Sequence, residues 1–215
     1  MYDPPAQPKI YHITHVGNLP NIIGKGWLVS DALMAAEGGP SAPIGMAGIK
    51  QRRRTLPVHC HRNTYVGDYV PFYFCPRSIM LYIIHKANNP ELGYTGGQGP
   101  IVHLEADMAA TIEWANTNRQ QWAFSLSNAS ATYTQFRSDL ARLNEINWLA
   151  VEARNFTARD IKEGKQAEFL LHKYFPWQLV SRIGVFSRQI AQQAHNALGS
   201  AGHRPPIEIV SDWYF

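Results

Sequence analysis

Cysteine and charged side chains are both scarce in this sequence. Its 215 residues include two cysteines, too few for a disulfide framework, and 17% of them are charged, below the level usual in soluble proteins. No N-terminal apolar run resembles a signal peptide, and no apolar stretch is long enough to span a bilayer. These absences exclude a disulfide-stapled secreted scaffold and a transmembrane protein. They predict a protein of the reducing cytoplasm that makes no membrane contact.

The sequence also lacks the glycine-rich motifs of the common nucleotide-binding folds. Neither G-x-G-x-x-G nor a P-loop is present, and the predicted strands and helices follow no βαβ rhythm. A doubly wound dinucleotide fold is therefore excluded. With 45% hydrophobic and 12% aromatic residues, the chain can bury a core. We expect one domain over residues 1–215 with an α+β fold, in which helices surround a split, largely antiparallel sheet.

Short alternating or wholly apolar segments predict the strands. These segments cover residues 10–13, 69–74, 101–104, 166–172, 182–187 and 207–210. Proline has no N–H to donate to a ladder and is confined mainly to edge strands. Pro71 therefore predicts that the second of these strands lies at an edge of the sheet.

Capping residues and helical periodicity predict the helices. Asn18 and Asp107 each stand where a helix cap is needed. Residues 44–54 and 187–198 also have helical patterns, and the first of them ends in three consecutive arginines. We therefore expect at least four helices around the sheet.

Three further segments give different signals. Thr132 is placed to cap a helix. The apolar residues of that helix, on one face at helical spacing, are Tyr133, Phe136, Leu140 and Leu143. Residues 31–43 are rich in glycine, alanine and proline and predict a loop. Residues 78–85 are apolar throughout, and the segment is too short for periodicity to decide between helix and strand.

Positive charge is concentrated in one stretch of the chain. Lys and Arg number 20 against 16 Asp and Glu, yet no acidic residue occurs between Gly38 and Gly67. The cations of this stretch are Lys50, Arg52, Arg53, Arg54 and Arg62. Such a field attracts the phosphates of a nucleotide or a nucleic acid, although a solvated helix face has the same composition. Because consecutive arginines fan around a helix, only one or two can face a cleft and grip a pyrophosphate or orient a base.

A glutamine and a glutamate occur two residues apart in a predicted strand. Residues two apart share a face, so Gln166 and Glu168 project side by side, while Phe169 and Leu171 face the other way. A carboxylate beside an amide suits a transition state with positive charge on a sugar ring, because the carboxylate can bind a ribose hydroxyl and stabilise the anomeric carbon. A strand with two polar residues facing solvent has the same pattern.

His12 and Thr14 share one face of an early strand. Both side chains can hydrogen-bond a ribose or a carboxamide, although a lone histidine is more often satisfied within a core. The other histidine cluster, residues 59–61 with Cys75, contains metal-capable side chains at a spacing that matches no zinc pattern. We therefore expect no metal site. A cysteine nucleophile beside a histidine is a further alternative.

Several sequence blocks, in the same order along the chain, together resemble the DarT family, the toxin half of the DarTG toxin–antitoxin system. The blocks are residues 11–15 (YHITH) with 18–19, 49–53 (IKQRR), 68–78 (DYVPFYFCPRS) with 80–82, 96–98 (GGQ), 165–170 (KQAEFL) with 175–177 (FPW), and 212–214 (DWY). Residues 113–130 match poorly and are a candidate DNA-contacting surface. The similarity extends over nearly the whole chain.

This resemblance implies a compact ADP-ribosyltransferase fold and transfer of ADP-ribose from NAD⁺ to a base in single-stranded DNA, with release of nicotinamide. It assigns the catalytic glutamate to Glu168 and the catalytic arginine to Arg53. Arg54 extends the usual arginine pair to three, and Ile79 stands where many relatives have proline. The blocks are more similar to the thymidine-modifying branch than to the guanosine-modifying branch.

The resemblance also implies the partners of the remaining site residues. We expect NAD⁺, as co-substrate, to contact His12, Thr14, Asn18 and Gln166. We expect DNA to contact the basic residues and an aromatic ring that can stack on bases, namely Lys50, Arg52, Arg54 and Tyr73. The expected setting is the bacterial cytoplasm, as a monomer with a DarG-type macrodomain antitoxin.

Three alternatives to this function stay open at the level of sequence. The first is ADP-ribosylation of a protein or a tRNA, which the Gln166–Glu168 pattern also permits. The second is a non-catalytic module that binds single-stranded nucleic acid through the basic stretch and the aromatic rings. The third is a small hydrolase that uses a cysteine and a histidine.

Overall fold

A computed structural model describes residues 2–215 of the chain. The strands are β1 (Lys9–His15), β2 (Trp27–Val29), β3 (Tyr69–Tyr73), β4 (Ile101–Asp107), β5 (Trp122–Asn128), β6 (Phe136–Arg137), β7 (Ala167–His172), β8 (Tyr174–Pro176), β9 (Val180–Val185) and β10 (Ile207–Ile209). The helices are α1 (Leu19–Lys25), α2 (Asp31–Ala36), α3 (Ala47–Arg53), α4 (Ile79–Lys86), α5 (Met108–Thr117), α6 (Trp148–Glu152), α7 (Arg159–Gly164) and α8 (Arg188–Leu198). No helix among the described residues is long and apolar enough to cross a membrane.

One sheet of eight strands, in the order β10-β9-β4-β1-β3-β7-β5-β6, forms the centre of the fold. All neighbours in it run antiparallel except β9 and β10. β1 and β3 are joined through a single pair, Tyr11 with Tyr73, whereas β1 pairs with β4 along its whole length. The sheet is therefore split into two halves at the β1–β3 junction. The predicted α+β fold with a split, largely antiparallel sheet is confirmed.

β3 lies inside the sheet, between β1 and β7, so the prediction of an edge strand was wrong. The reason is the contact at Pro71, whose carbonyl accepts a hydrogen bond from His12 Nδ1 at 2.8 Å. The N and C=O of one strand residue point to the same side. The missing N–H of Pro71 thus faces the open junction, where a side chain of β1 replaces the ladder.

Most predicted helices are present, and their caps explain where they start. Asp107 accepts a hydrogen bond from Ala110 N at 2.9 Å and begins α5. Ser187 begins α8 in the same way. The 44–54 segment forms the shorter α3, and the undecided 78–85 segment is helical as α4, capped by Ser78.

Two of the predicted segments were wrong. Residues 31–43 were expected to form a loop, but α2 begins there because Ser30 caps it. No α-helix follows Thr132, and only a short 3-10 helix, Leu140–Glu145, lies in the segment expected to be helical. Phe136 instead pairs with Ser125 as strand β6 and is buried, so sheet pairing and burial outweigh the helical spacing of the apolar residues.

The end of the chain is anchored to β4. The Tyr214 hydroxyl donates to the Ile101 carbonyl at 2.7 Å, and it lies 3.2 Å from His103 Nδ1. His103 is fully buried and donates from Nε2 to the Pro76 carbonyl at 3.0 Å. Burial lowers the pKa of His103 to about 4, so the ring is neutral in the folded protein.

This histidine predicts a specific loss of stability in acid. Below the ordinary histidine pKa of 6.5, the unfolded chain takes up a proton that folded His103 refuses until about pH 4. The stability contributed by neutral His103 is thus present above pH 6.5 and falls by up to about 3 kcal/mol as the pH drops to about 4. Urea denaturation of the wild type and of His103→Gln across this range measures the effect. A wild-type slope retained in the variant would exclude His103 as its source.

Candidate active site

A cleft of about 280 Å³ opens at the junction of the two halves of the sheet. Its walls come from β1, β3 and β7 on one side and from the 28–53 segment and α4 on the other. Eight of the ten side chains predicted as site residues line it. They are His12, Thr14, Asn18, Lys50, Arg53, Tyr73, Gln166 and Glu168.

A buried ion pair forms the floor of this cleft. Arg53, the last residue of α3, donates from Nη1 to Glu168 Oε1 at 3.1 Å and from Nη2 to Oε2 at 3.0 Å. The two residues are 7% and 3% exposed, so the pair is almost completely removed from water. Burial alone lowers the pKa of Arg53, but the charge and hydrogen bonds of Glu168 outweigh this effect and raise it. The guanidinium is therefore a permanent cation.

A turn that follows β5 completes the surroundings of the pair. Ala129 N donates to Glu168 Oε1 at 3.3 Å, and the Ser130 hydroxyl accepts from Arg53 Nη1 at 3.4 Å. Tyr73 lies beside the pair, and burial followed by the negative charge of Glu168 raises its pKa. Tyr73 is therefore a neutral phenol at physiological pH and can donate a hydrogen bond into the cleft.

His12 enters the cleft in a defined tautomer. The Pro71 carbonyl can only accept, so His12 Nδ1 carries the hydrogen and Nε2 is left as an acceptor. Burial lowers the pKa of His12, although the hydrogen bond to Pro71 opposes this effect. A neutral imidazole with a free acceptor nitrogen suits a hydroxyl group or an amide N–H of a ligand.

Asn18 lines the cleft, but its amide is already bonded within the protein. Nδ2 donates to the Ala42 carbonyl and Oδ1 accepts from Ala42 N, both at 2.9 Å, and Nδ2 also lies 3.1 Å from Thr14 Oγ1. The side chain does not cap α1, although it stands at the cap position. These bonds join Ala42 of the 37–46 segment to Thr14 of β1, so the amide of Asn18 positions that segment at the edge of the cleft.

The four residues predicted to contact DNA are in different surroundings. Lys50 lies within the cleft and forms an ion pair with Asp31 at 3.1 Å. Arg52 and Arg54 are exposed and flank the buried Arg53, so one of three consecutive arginines faces inward. Tyr73 lies at the floor, beside Glu168. Arg52 and Arg54 do not line the cleft, so their contact with a DNA backbone stays a prediction.

Sequence reasoning missed several polar residues of the site. These are Asp31 at the start of α2, and Ser125, Asn128 and Ser130 in and after β5. The run 125–130 (SLSNAS) interrupts an otherwise aromatic and apolar segment, and this change in composition was the available signal. No sequence signal marked Asp31, because the segment that contains it was predicted to be a loop.

Cysteine and metal chemistry gain no support from the described residues. Burial raises the pKa of both Cys60 and Cys75, which disfavours the thiolate that a nucleophile needs. His61 Nε2 bonds the Trp122 carbonyl. Within residues 2–215, no three His, Cys, Asp or Glu side chains are grouped to hold a metal ion.

Comparison with known proteins gives one consistent result. Residues 11–215 match the family described as "ssDNA thymidine ADP-ribosyltransferase, DarT". A "DNA ADP-ribosyl transferase" of Thermus aquaticus is 35% identical over 214 residues, which are 98% of this chain and 90% of the relative. The structure of Thermus sp. 2.9 DarT in complex with ADP-ribosylated ssDNA superposes with a TM-score of 0.89 at 32% identity and covers 100% of both chains. The structure of the same Thermus protein in complex with NAD⁺ superposes with a TM-score of 0.79 at 31% identity and also covers 100% of both chains.

The buried pair predicts strong coupling between its two members. Arg53→Met leaves a carboxylate buried without its partner, and we expect a loss of about 3–5 kcal/mol in the free energy of unfolding. A double variant, Arg53→Met with Glu168→Leu, removes both charges and is expected to be much more stable than the single variant. Urea denaturation of Arg53→Met, Glu168→Leu and the double variant measures the coupling, and simple additivity of the two single-variant costs would show that the pair is not coupled.

Proposed function

The chain belongs to the DarT family, and from this premise we propose how its cleft carries out the family reaction. The protein is an NAD⁺-dependent ADP-ribosyltransferase that acts on single-stranded DNA, and thymidine, the base in the family description, is the acceptor consistent with it. The observation that carries the proposal is the buried Arg53–Glu168 pair at the floor of the cleft, next to His12 and Tyr73.

The residues of the cleft fit NAD⁺. Arg53 Nε is buried and has no hydrogen-bond partner within residues 2–215, so one donor at the floor is available. His12 Nε2 offers an acceptor for a ribose hydroxyl or the carboxamide, and Thr14 lies on the same strand. Apolar side chains of α4, including Met80, provide a wall for a flat ring. NAD⁺ supplies the ADP-ribose that is transferred and the nicotinamide that leaves.

Glu168 has one acceptor position left for a substrate. A carboxylate has about four lone-pair sites on its two oxygens. Oε1 accepts from Arg53 and from Ala129 N, whereas Oε2 accepts from Arg53 alone among the hydrogen bonds of the described residues. We assign Oε2 to a hydroxyl of the ribose that bears nicotinamide. From there the carboxylate stabilises the positive charge that develops at the anomeric carbon as the bond to nicotinamide breaks.

Arg53 and Tyr73 are assigned to the acceptor base. Arg53 cannot act as a base, because its pKa is raised above an already high value, so its role is to polarise and orient the incoming ring. Tyr73 is a neutral phenol and contributes a donor or a stacking face. Because the floor is buried, a base must leave its stack to reach it, and single strands meet that condition at low cost.

The setting of the reaction extends the same proposal. NAD⁺ and single-stranded DNA are both found in the bacterial cytoplasm, which we take as the site of action. We propose that the protein acts as a monomer, because every side chain assigned above belongs to one chain. Its partner, in keeping with the DarTG resemblance, is a macrodomain antitoxin.

Replacing the carboxylate by an amide tests the role of Glu168. Glu168→Gln keeps the size of the side chain and an acceptor for Arg53, but it lacks the charge that stabilises the transition state. We expect the rate of oligonucleotide ADP-ribosylation to fall on the order of 10²–10³-fold. Mass spectrometry of oligonucleotides with either thymidine or guanosine as the only modifiable base gives both the rate of ADP-ribosylation and the identity of the modified base. Glu152→Gln, exposed at the end of α6 and outside the cleft, is the control. Wild-type labelling by Glu168→Gln would refute the assignment.

The exposed arginines predict a salt-dependent contribution to DNA binding. Arg52→Ala and Arg54→Ala remove exposed cations on either side of Arg53 in the chain, and we expect weaker binding of a single-stranded oligonucleotide whatever its sequence. The slope of log affinity against log salt concentration is negative, and its magnitude should fall by about 0.7 for each lost phosphate contact. Fluorescence anisotropy at several salt concentrations measures it, with the exposed Arg188→Ala of α8 as the matched control. Equal slopes in all four proteins would contradict the contact.

A further inference from the structure

Both ends of the Gln166 amide are bonded within the protein. Its Oε1 accepts from Asn128 Nδ2 at 3.0 Å, and its Nε2 donates to the Lys162 carbonyl at 2.9 Å. One N–H and one lone pair of the amide remain, but the two bonds fix its orientation between Asn128 and Lys162, even though it lines the cleft. The predicted contact of Gln166 with NAD⁺ therefore has an alternative, in which Gln166 holds the side chain of Asn128 in place.

Asn128 ends a bulge that lies opposite Glu168. Phe124 pairs with Phe169 and Asn128 pairs with Ala167, so three residues of β5 face the single residue Glu168 of β7. Because no regular ladder bond is possible there, Glu168 N donates to the Ser125 hydroxyl at 2.9 Å. The bulge therefore fixes the backbone of the catalytic glutamate through a side chain.

The turn after the bulge fixes the carboxylate itself. Asn128 Oδ1 accepts from Ser130 N at 2.8 Å, which closes an Asx turn. Within this turn, Ala129 N is directed at Glu168 Oε1 and the Ser130 hydroxyl reaches Arg53. One asparagine thus uses its oxygen to shape the turn and its nitrogen to attach the turn to Gln166.

We propose that Asn128 is a positioning residue for the carboxylate of Glu168, and that Gln166 acts through Asn128 and not on NAD⁺. The proposal rests on the catalytic role assigned to Glu168. Through the turn, Asn128 keeps Ala129 N on Oε1 and thereby leaves Oε2 for the ribose hydroxyl. Aspartate cannot replace it without loss, because a carboxylate has no hydrogen to donate to Gln166 Oε1.

This role predicts a change in kcat and not in KM. Displacement of a catalytic group by about 1 Å can cost on the order of 10²-fold in rate. We expect Asn128→Ala to lower kcat by about that factor at saturating oligonucleotide, with KM for NAD⁺ within about twofold of wild type. Gln166→Ala should lower kcat less, and the double variant should be no worse than Asn128→Ala alone, because the two residues act in series.

The experiment measures kcat and KM for NAD⁺ by oligonucleotide labelling, together with urea denaturation of every variant. Asn128→Ser retains an acceptor for Ser130 N and should recover part of the lost kcat, which a mere loss of stability does not predict. Asn155→Ala removes an exposed Asx turn onto Thr157 N and serves as the matched control.

Two results would overturn the proposal. One is a raised KM for NAD⁺ with unchanged kcat in Gln166→Ala, which would make Gln166 a direct ligand. The other is a wild-type kcat in folded Asn128→Ala. Glu168→Gln is measured in the same assay, so that activity retained by that variant removes the role of Glu168 and is distinguished from a failure at Asn128.

Discussion

The ion pair between Arg53 and Glu168 is the contact on which the whole cleft depends. Removing two charges from water costs several kcal/mol per ion, and their attraction offsets this cost only when the geometry is good and the remaining polar atoms are satisfied. The end of α3, the second residue of β7 and the turn after β5 must therefore meet at one point. The floor of the cleft is therefore complete only when the buried pair has formed.

The split of the sheet provides the space for this pair. β1 and β3 share only the Tyr11–Tyr73 pair, and the strands separate where Pro71 lacks an N–H. His12 takes the place of the missing ladder contact by donating to the Pro71 carbonyl. The same hydrogen bond sets the tautomer that leaves Nε2 as an acceptor toward the cleft. The missing N–H of Pro71 thus opens the site, and the hydrogen bond that replaces it leaves His12 Nε2 as an acceptor.

Periodicity and composition predicted those features that depend on local sequence. The strand carrying Glu168, the cap at Asp107 and the general sheet class follow from alternation and capping chemistry. The helix expected after Thr132 was wrong because Phe136 gains more by pairing with β5 than by helical packing. Which of three arginines faces inward depends on how α3 packs against β7, and no local pattern contains that information. The family resemblance selected Arg53, and the structure buries it.

The hydrogen bonds around Glu168 distinguish its two oxygens, and the proposed contact with the ribose hydroxyl follows from that difference. Oε1 accepts from both Arg53 and Ala129 N and is fully occupied, whereas Oε2 keeps one lone pair. If the turn after β5 did not hold Ala129 in place, the two oxygens would be equivalent and either could receive the hydroxyl. In the proposed reaction, the turn therefore acts by making the hydrogen bonding of the carboxylate asymmetric, since the ion pair alone is symmetric.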